Sequence, residues 1–119
     1  TFLQTFSFVD PPIPDRAERI YQAYCERFED CTSPGRILSP VGTAHAYDLV
    51  HLLRMAITQA GSTDRNQVRR ALETLGPYQG LMRNYDPPFS ADRHDALDAT
   101  DFRLSRYGDD GAIIPLAVR

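Results

Sequence analysis

Lysine is absent from this sequence, and all 13 basic residues are arginine. Against 16 acidic residues they leave a formal net charge of −3, the wrong sign for a surface that follows nucleic-acid phosphates. The lack of lysine reads as the compositional bias of a genome. Arg65, Arg69 and Arg70 lie among Asp64 and Glu73, which marks a solvated helix face instead of a basic patch. No apolar stretch approaches the roughly 20 residues that cross a bilayer, and no charged-then-apolar leader precedes the first structural signals. The chain starts at Thr1 and reads as a piece of something longer, so the missing leader carries no information about secretion.

Cysteine is scarce too. Cys25 and Cys31 lack the CxxC pairing of a zinc or dithiol site. Their spacing leaves two readings open: a disulfide between a helix end and the following loop in an oxidising compartment, or two partly buried thiols. His45, His51 and His94 are scattered, and only His51 has an acid, Asp48, within a turn, so no metal site is expected. No Ser or Cys stands in a glycine-flanked elbow and no glutamate pair stands out. The acidic run from Asp86 to Asp95 is explained by turn-forming Pro and Asp, which leaves a small hydrolase without its nucleophile. No enzymatic activity and no cofactor are expected.

What is present is an ordinary globular composition, 42% hydrophobic and 24% charged over 119 residues, which fits one domain. No internal repeat or low-complexity segment appears. Phe2 to Phe8 reads as a strand, closed by Asp10-Pro11-Pro12 and Pro14. Asp15 then caps a helix carrying Ala17, Ile20, Tyr21, Tyr24 and Phe28 at helical spacing. Cys31 to Pro40 is a loop. From Ala44 to Ala60 apolar residues occupy most of a helix circumference, leaving a narrow polar stripe of Asp48, His51, Arg54 and Thr58, so this helix is expected to be buried on most sides.

Gly61 stops that helix, and Ser62 or Thr63 caps another through Val68, Ala71, Leu72 and Leu75 to Gly76. Tyr78 to Tyr85 reads as extended. Phe102, Leu104 and Tyr107 alternate up to the turn Gly108-Asp109-Asp110-Gly111, whose return strand is Ala112 to Val118, with Pro115 at an edge or strand end. Tyr47, Tyr78, Tyr85 and Tyr107 read as core residues before ligand contacts. Read alone, the order is α+β with three helices and a C-terminal hairpin.

Ala46-Tyr47-Asp48-Leu49-Val50-His51-Leu52-Leu53, continuing through Ala56 to Asp64, resembles the Tyr-Asp helix of solute-binding proteins of the branched-chain amino-acid ABC-transporter type. Val68, Arg70, Ala71 and Leu72 are similar to that family's next helix. Gly76 to Gly80 is similar to the segment leading to its G-x-x-x-x-Y strand, Gly108 to Pro115 to its terminal DG-x-x-x-P hairpin, and Arg16 to Phe28 to its preceding helix. The resemblance covers nearly the whole chain and rests on order and spacing.

It implies an α/β fold, with residues 1–119 forming the C-terminal segment of a two-lobed, Rossmann-like type I periplasmic-binding-protein fold. It implies a periplasmic location, a small-molecule ligand such as an amino acid or an aromatic or aliphatic acid, and an ABC-transporter permease as partner. A ligand-sensing domain of a signalling receptor with the same fold is the alternative. By the same likeness Val41, Gly42, Thr43, Ala44 and His45, taken as a loop before the Tyr-Asp helix, run along the ligand cleft. Backbone N–H groups at a helix start can face a carboxylate there. An isolated partial lobe would also expose apolar surface and self-associate.

Overall fold

The structure is a computed structural model that describes residues 1–29 and 31–117. Its elements follow the chain as β1 (Phe2–Gln4), α1 (Pro14–Cys25), α2 (Pro40–Ala60), α3 (Arg65–Leu72), β2 (Tyr78–Gln79), β3 (Asn84–Tyr85), β4 (Arg103–Tyr107) and β5 (Ile113–Pro115), with single 3-10 turns at Pro34–Arg36 and Ala99–Asp101. β4 is the centre of a three-stranded antiparallel sheet, flanked by β1 and β5, and β2 pairs with β3 alone. Three helices beside small antiparallel sheets make the α+β arrangement expected of a partial lobe.

Several boundaries differ from the sequence reading, each for a local reason. β1 ends at Gln4. Thr5 to Phe8 leave the sheet and bury themselves, with Phe6 and Phe8 meeting edge to face at 4.8 Å. Asp15 lies inside the first turn of α1 and does not cap it, because Pro14 already has the φ of a first helical residue and Ile13 takes the cap position. Phe28 falls beyond the helix and meets the Tyr24 ring at a tilt of 36°, with centroids 4.6 Å apart. Asp64, not Ser62 or Thr63, caps α3: its Oδ1 accepts from the amides of Asn66 and Gln67, while the Ser62 hydroxyl accepts from the Asp64 amide. Gly61 does close α2, at φ 61°.

Tyr78 to Tyr85 is a hairpin, not one extended strand, and its turn is closed by Gly80 N–H donating to the Arg83 carbonyl at 3.0 Å. The return strand of the last hairpin is Ile113–Pro115, at the sheet edge, and Val118 lies outside the described residues. Cys25, the last residue of α1, is disulfide-bonded to Cys31, with Cα atoms 5.2 Å apart.

The largest difference concerns α2. It starts at Pro40, four residues earlier than expected, and its buried residues are only Ala44, Asp48, Leu52 and Ala56, a single line at spacing four. The helix is therefore not buried on most sides: Leu49, Val50 and Leu53 are exposed. Asp48, assigned to a solvated stripe, faces inward.

Two apolar clusters share this line. Ala44 joins Phe6, Phe8, Ala17, Ile37, Leu81, Met82 and Tyr85, while Leu52 and Ala56 pack on Ala71 and Leu75 of the α3 corner. The result is a slab of 47 × 36 × 21 Å with a radius of gyration of 15.9 Å. A compact chain of this length would have about 13.5 Å. The exposed surface, 7897 Å², likewise exceeds the about 6,500 Å² of a compact monomer of this mass. A slab this thin places much of each helix at a surface.

Candidate ligand site

The residues from Val41 to His45 form the opening turns of α2 and are not a loop. The helix begins abruptly. Ser39 sits in the left-handed region at φ 48°, ψ 58° and makes no capping hydrogen bond, and Pro40 has no N–H. Thr43 N–H, bonded to the Ser39 carbonyl at 2.8 Å, closes the first turn. The Val41 and Gly42 amides therefore have no partner within the helix and carry the positive end of its dipole.

Beside this end lies a cavity of about 490 Å³, between the segment Gly35 to Val41 and the hairpin residues Tyr107, Asp110, Gly111 and Ile113. Gly35 is required where these two walls touch, since a Cβ there would stand 2.6 Å from the Ala112 Cβ. The cavity mixes charge: Arg36 and Asp110 both line it, and the Asp110 carboxylate already accepts from the Ala112 amide at 3.1 Å.

The five nominated residues separate. Val41 lines the cavity, and Gly42 is exposed beside Ser39, whose Oγ stands 2.7 Å from where a Cβ would be. The Thr43 hydroxyl donates to the Leu38 carbonyl at 3.2 Å. Ala44 is sealed in the core. His45 Nε2 is 2.9 Å from the buried Thr5 hydroxyl, which ties α2 to the segment after β1. Of the five, Val41 alone lines this cavity and Gly42 is the most exposed.

A second constellation is built around Asp48. Its Oδ1 accepts from Leu81 N–H at 2.6 Å, and its Oδ2 from Met82 N–H at 2.9 Å and the Tyr85 hydroxyl at 2.8 Å. Three donors satisfy a carboxylate that is 2% exposed. On the opposite side of the same turn, Arg16 Nη1 donates to the Gly80 carbonyl at 2.6 Å. The Gly80–Leu81 peptide thus has a guanidinium on its oxygen and a carboxylate on its hydrogen, both aligned with its dipole. Gly80 admits no side chain: a Cβ would lie 2.5 Å from the Tyr85 ring and 2.6 Å from Asp48 Oδ2. Desolvation and then the Asp48 charge push the Tyr78 hydroxyl up to about 12. Desolvation and then the hydrogen bond to Asp48 raise Tyr85 as well.

The sequence held one signal for this cluster. Asp48 shares the four-residue spacing of Ala44, Leu52 and Ala56, which polarity alone concealed.

The histidines stay apart. His51 lies between Tyr47 and Tyr78, with ring centroids 4.5 and 6.2 Å away, and His94 pairs with Glu73 at 3.3 Å. Among the described residues no group of three or more His, Cys, Asp or Glu side chains could hold a metal ion. The acidic segment is ordered around Arg93, which donates to the carbonyls of Pro87 and Asp95. Ser90 and Arg93 form an isolated bridge, and the Asp86–Pro87 peptide bond is cis. No helix among the described residues is long and apolar enough to cross a membrane.

No protein-family model and no curated protein matches the chain. A solved structure does: the crystal structure of a periplasmic binding protein type 1 from Bordetella pertussis Tohama I, with a TM-score of 0.69 and 24% identity. The match covers 96% of this chain and 32% of that one, so the chain spans about a third of the length of its structural neighbour. The described residues therefore have the fold of part of a type 1 periplasmic binding protein.

Proposed function

We propose that the chain is the C-terminal segment of a solute-binding protein of the ABC-transporter type, which captures a small carboxylated molecule in the periplasm and presents it to a membrane permease. The observation that carries this reading is the backbone likeness over 96% of the chain to a periplasmic binding protein. The site that would serve it is the uncapped start of α2. The Val41 and Gly42 amides have no helical partners there, and Val41 lines a cavity of about 490 Å³, a volume typical of small-molecule sites. A carboxylate there would receive N–H donors and the helix dipole together. Hinge closure of a second lobe would complete the enclosure.

This reading uses no cofactor and no covalent chemistry. The bond between Cys25 and Cys31 fits an oxidising compartment. The exposed Leu49, Val50 and Leu53 support self-association of the segment on its own.

The test is a thermal-shift screen of amino acids, aromatic acids and amides, followed by calorimetry on both this chain and a longer protein that carries it. A carboxylated hit whose amide analogue fails is the expected result, with far weaker binding to the chain alone. Equal affinities for chain and longer protein would exclude a shared cleft, and a preference for the amide would exclude the carboxylate reading.

A further inference from the structure

We propose a second anion site, in the depression between α1 and the β2–β3 hairpin, where Arg16 and Arg19 receive the carboxylate of a small organic acid. Three residues apart on α1, they share one helix face. Both line a cavity of about 240 Å³, together with Ile20, Tyr47, Gln79 and the Gly80–Leu81 backbone. It has no lining residue in common with the cavity at the start of α2.

Arg16 is held in place by neutral groups. Its Nη1 donates to the Gly80 carbonyl at 2.6 Å and its Nη2 to Asn84 Oδ1 at 2.8 Å. These contacts fix the plane of the guanidinium without cancelling its charge, and a planar fork of fixed orientation suits a carboxylate. Asp48, beyond the Gly80–Leu81 peptide, is already engaged by three donors. Arg19 is exposed and has no hydrogen-bond or ion-pair partner among the described residues. Asp15, one turn earlier, does not bond it, and Glu18 accepts from Gln22 instead.

The site thus offers one guanidinium already positioned and another free to close. Ile20 and Tyr47 supply an apolar wall for the body of the acid. The volume lies below the roughly 300–1,000 Å³ of pockets for drug-sized ligands, which limits the occupant to a small acid.

The experiment is a nuclear magnetic resonance titration of the full chain with benzoate, following the arginine side-chain N–H signals and the Tyr47 ring, with inorganic phosphate and chloride as parallel arms at matched ionic strength. Saturable shifts at Arg16, Arg19 and Tyr47 with benzoate, and weaker ones with phosphate, are expected. Arg19→Gln should lower the benzoate affinity about tenfold, the loss of one charge-assisted contact, and leave the melting temperature unchanged. Shifts that rise without saturating, match the chloride arm, or survive Arg19→Gln would overturn the proposal. A phosphate response stronger than that to benzoate would overturn the carboxylate class. Shifts confined to the Val41 and Gly42 amides would overturn this site while leaving the reading of α2 intact, so the two fail separately.

Discussion

Along α2 the line Ala44, Asp48, Leu52 and Ala56 is sealed, whereas Leu49, Val50 and Leu53, a step further round the same helix, keep 53, 65 and 46% of their surface in water. A carboxylate is buried and three aliphatic side chains are not. Hydrophobicity alone would order these residues the other way. The inward line is fixed by partners: Leu81, Met82 and Tyr85 present three donors to one point, and only an acceptor side chain can answer them. The outward residues meet no element of the described chain that covers them. Burial in this slab follows what stands opposite a position, not the polarity of the position itself.

The strongest way to break the contrast is Asp48→Ala. It leaves two backbone N–H groups and the Tyr85 hydroxyl without acceptors in a site closed to water, at about 1–3 kcal/mol for each orphaned group. Against a total stability of about 5–15 kcal/mol for a domain of ordinary stability, the loss removes much of the folded population. Urea denaturation followed by circular dichroism checks this. A midpoint shift no larger than that of an average surface substitution would show that the three donors find other acceptors.

Much of this architecture was legible because it is local. Gly61 stops α2 wherever its neighbours lie, and Gly108 to Gly111 joins β4 to β5 through a tight turn. Pro40 misled because proline marks both loops and first helical turns, and only the Ser39 conformation decides between them. The pairing of Phe2 with Ser105 joins strands about a hundred residues apart, and no local pattern announces it. Of the nominated site, Val41 lines the cavity and Gly42 is exposed because a helix start is a local event. The opposite cavity wall, Tyr107 and Ile113, comes from the far end of the chain and left no mark near Val41. Asp48 escaped because polarity was read as exposure.

A milder perturbation sharpens the same contrast from the inside. Tyr78 and Tyr85 flank Asp48 and hold their protons more tightly than unfolded tyrosine, which ionises near about 10. Where a folded-state pKa is raised, the folded state binds more protons than the unfolded state, so stability falls as pH rises. The contribution of Tyr78 is complete below about 10 and is lost as pH climbs toward about 12, with Tyr85 acting in the same direction. Urea midpoints should therefore hold steady up to about pH 9 and drop by about pH 11, together with the appearance of tyrosinate absorbance. In Tyr85→Phe the decline should be shallower, because one raised phenol is gone. A midpoint that stays flat across this interval would mean that Tyr78 and Tyr85 ionise as freely in the folded protein as in the unfolded one.

The smallest effect on stability is expected on the outward face, where Leu49→Gln and Leu53→Gln replace exposed aliphatic groups by polar ones of similar length. Glutamine has a helix propensity close to that of leucine, and neither leucine belongs to the two buried clusters. Each substitution should therefore shift stability by no more than about 0.5 kcal/mol. Association is the quantity that should move. If the segment self-associates through this face, light scattering coupled to size exclusion over a tenfold range of concentration gives a rising mass for the parent chain and a constant monomer mass for the double variant. A parent chain that stays monomeric at every concentration would remove self-association from the proposed properties. A destabilisation of 2 kcal/mol or more, the scale of a buried leucine, would go further. It would place Leu49 and Leu53 inside a core, and the difference between the two faces of α2 would vanish.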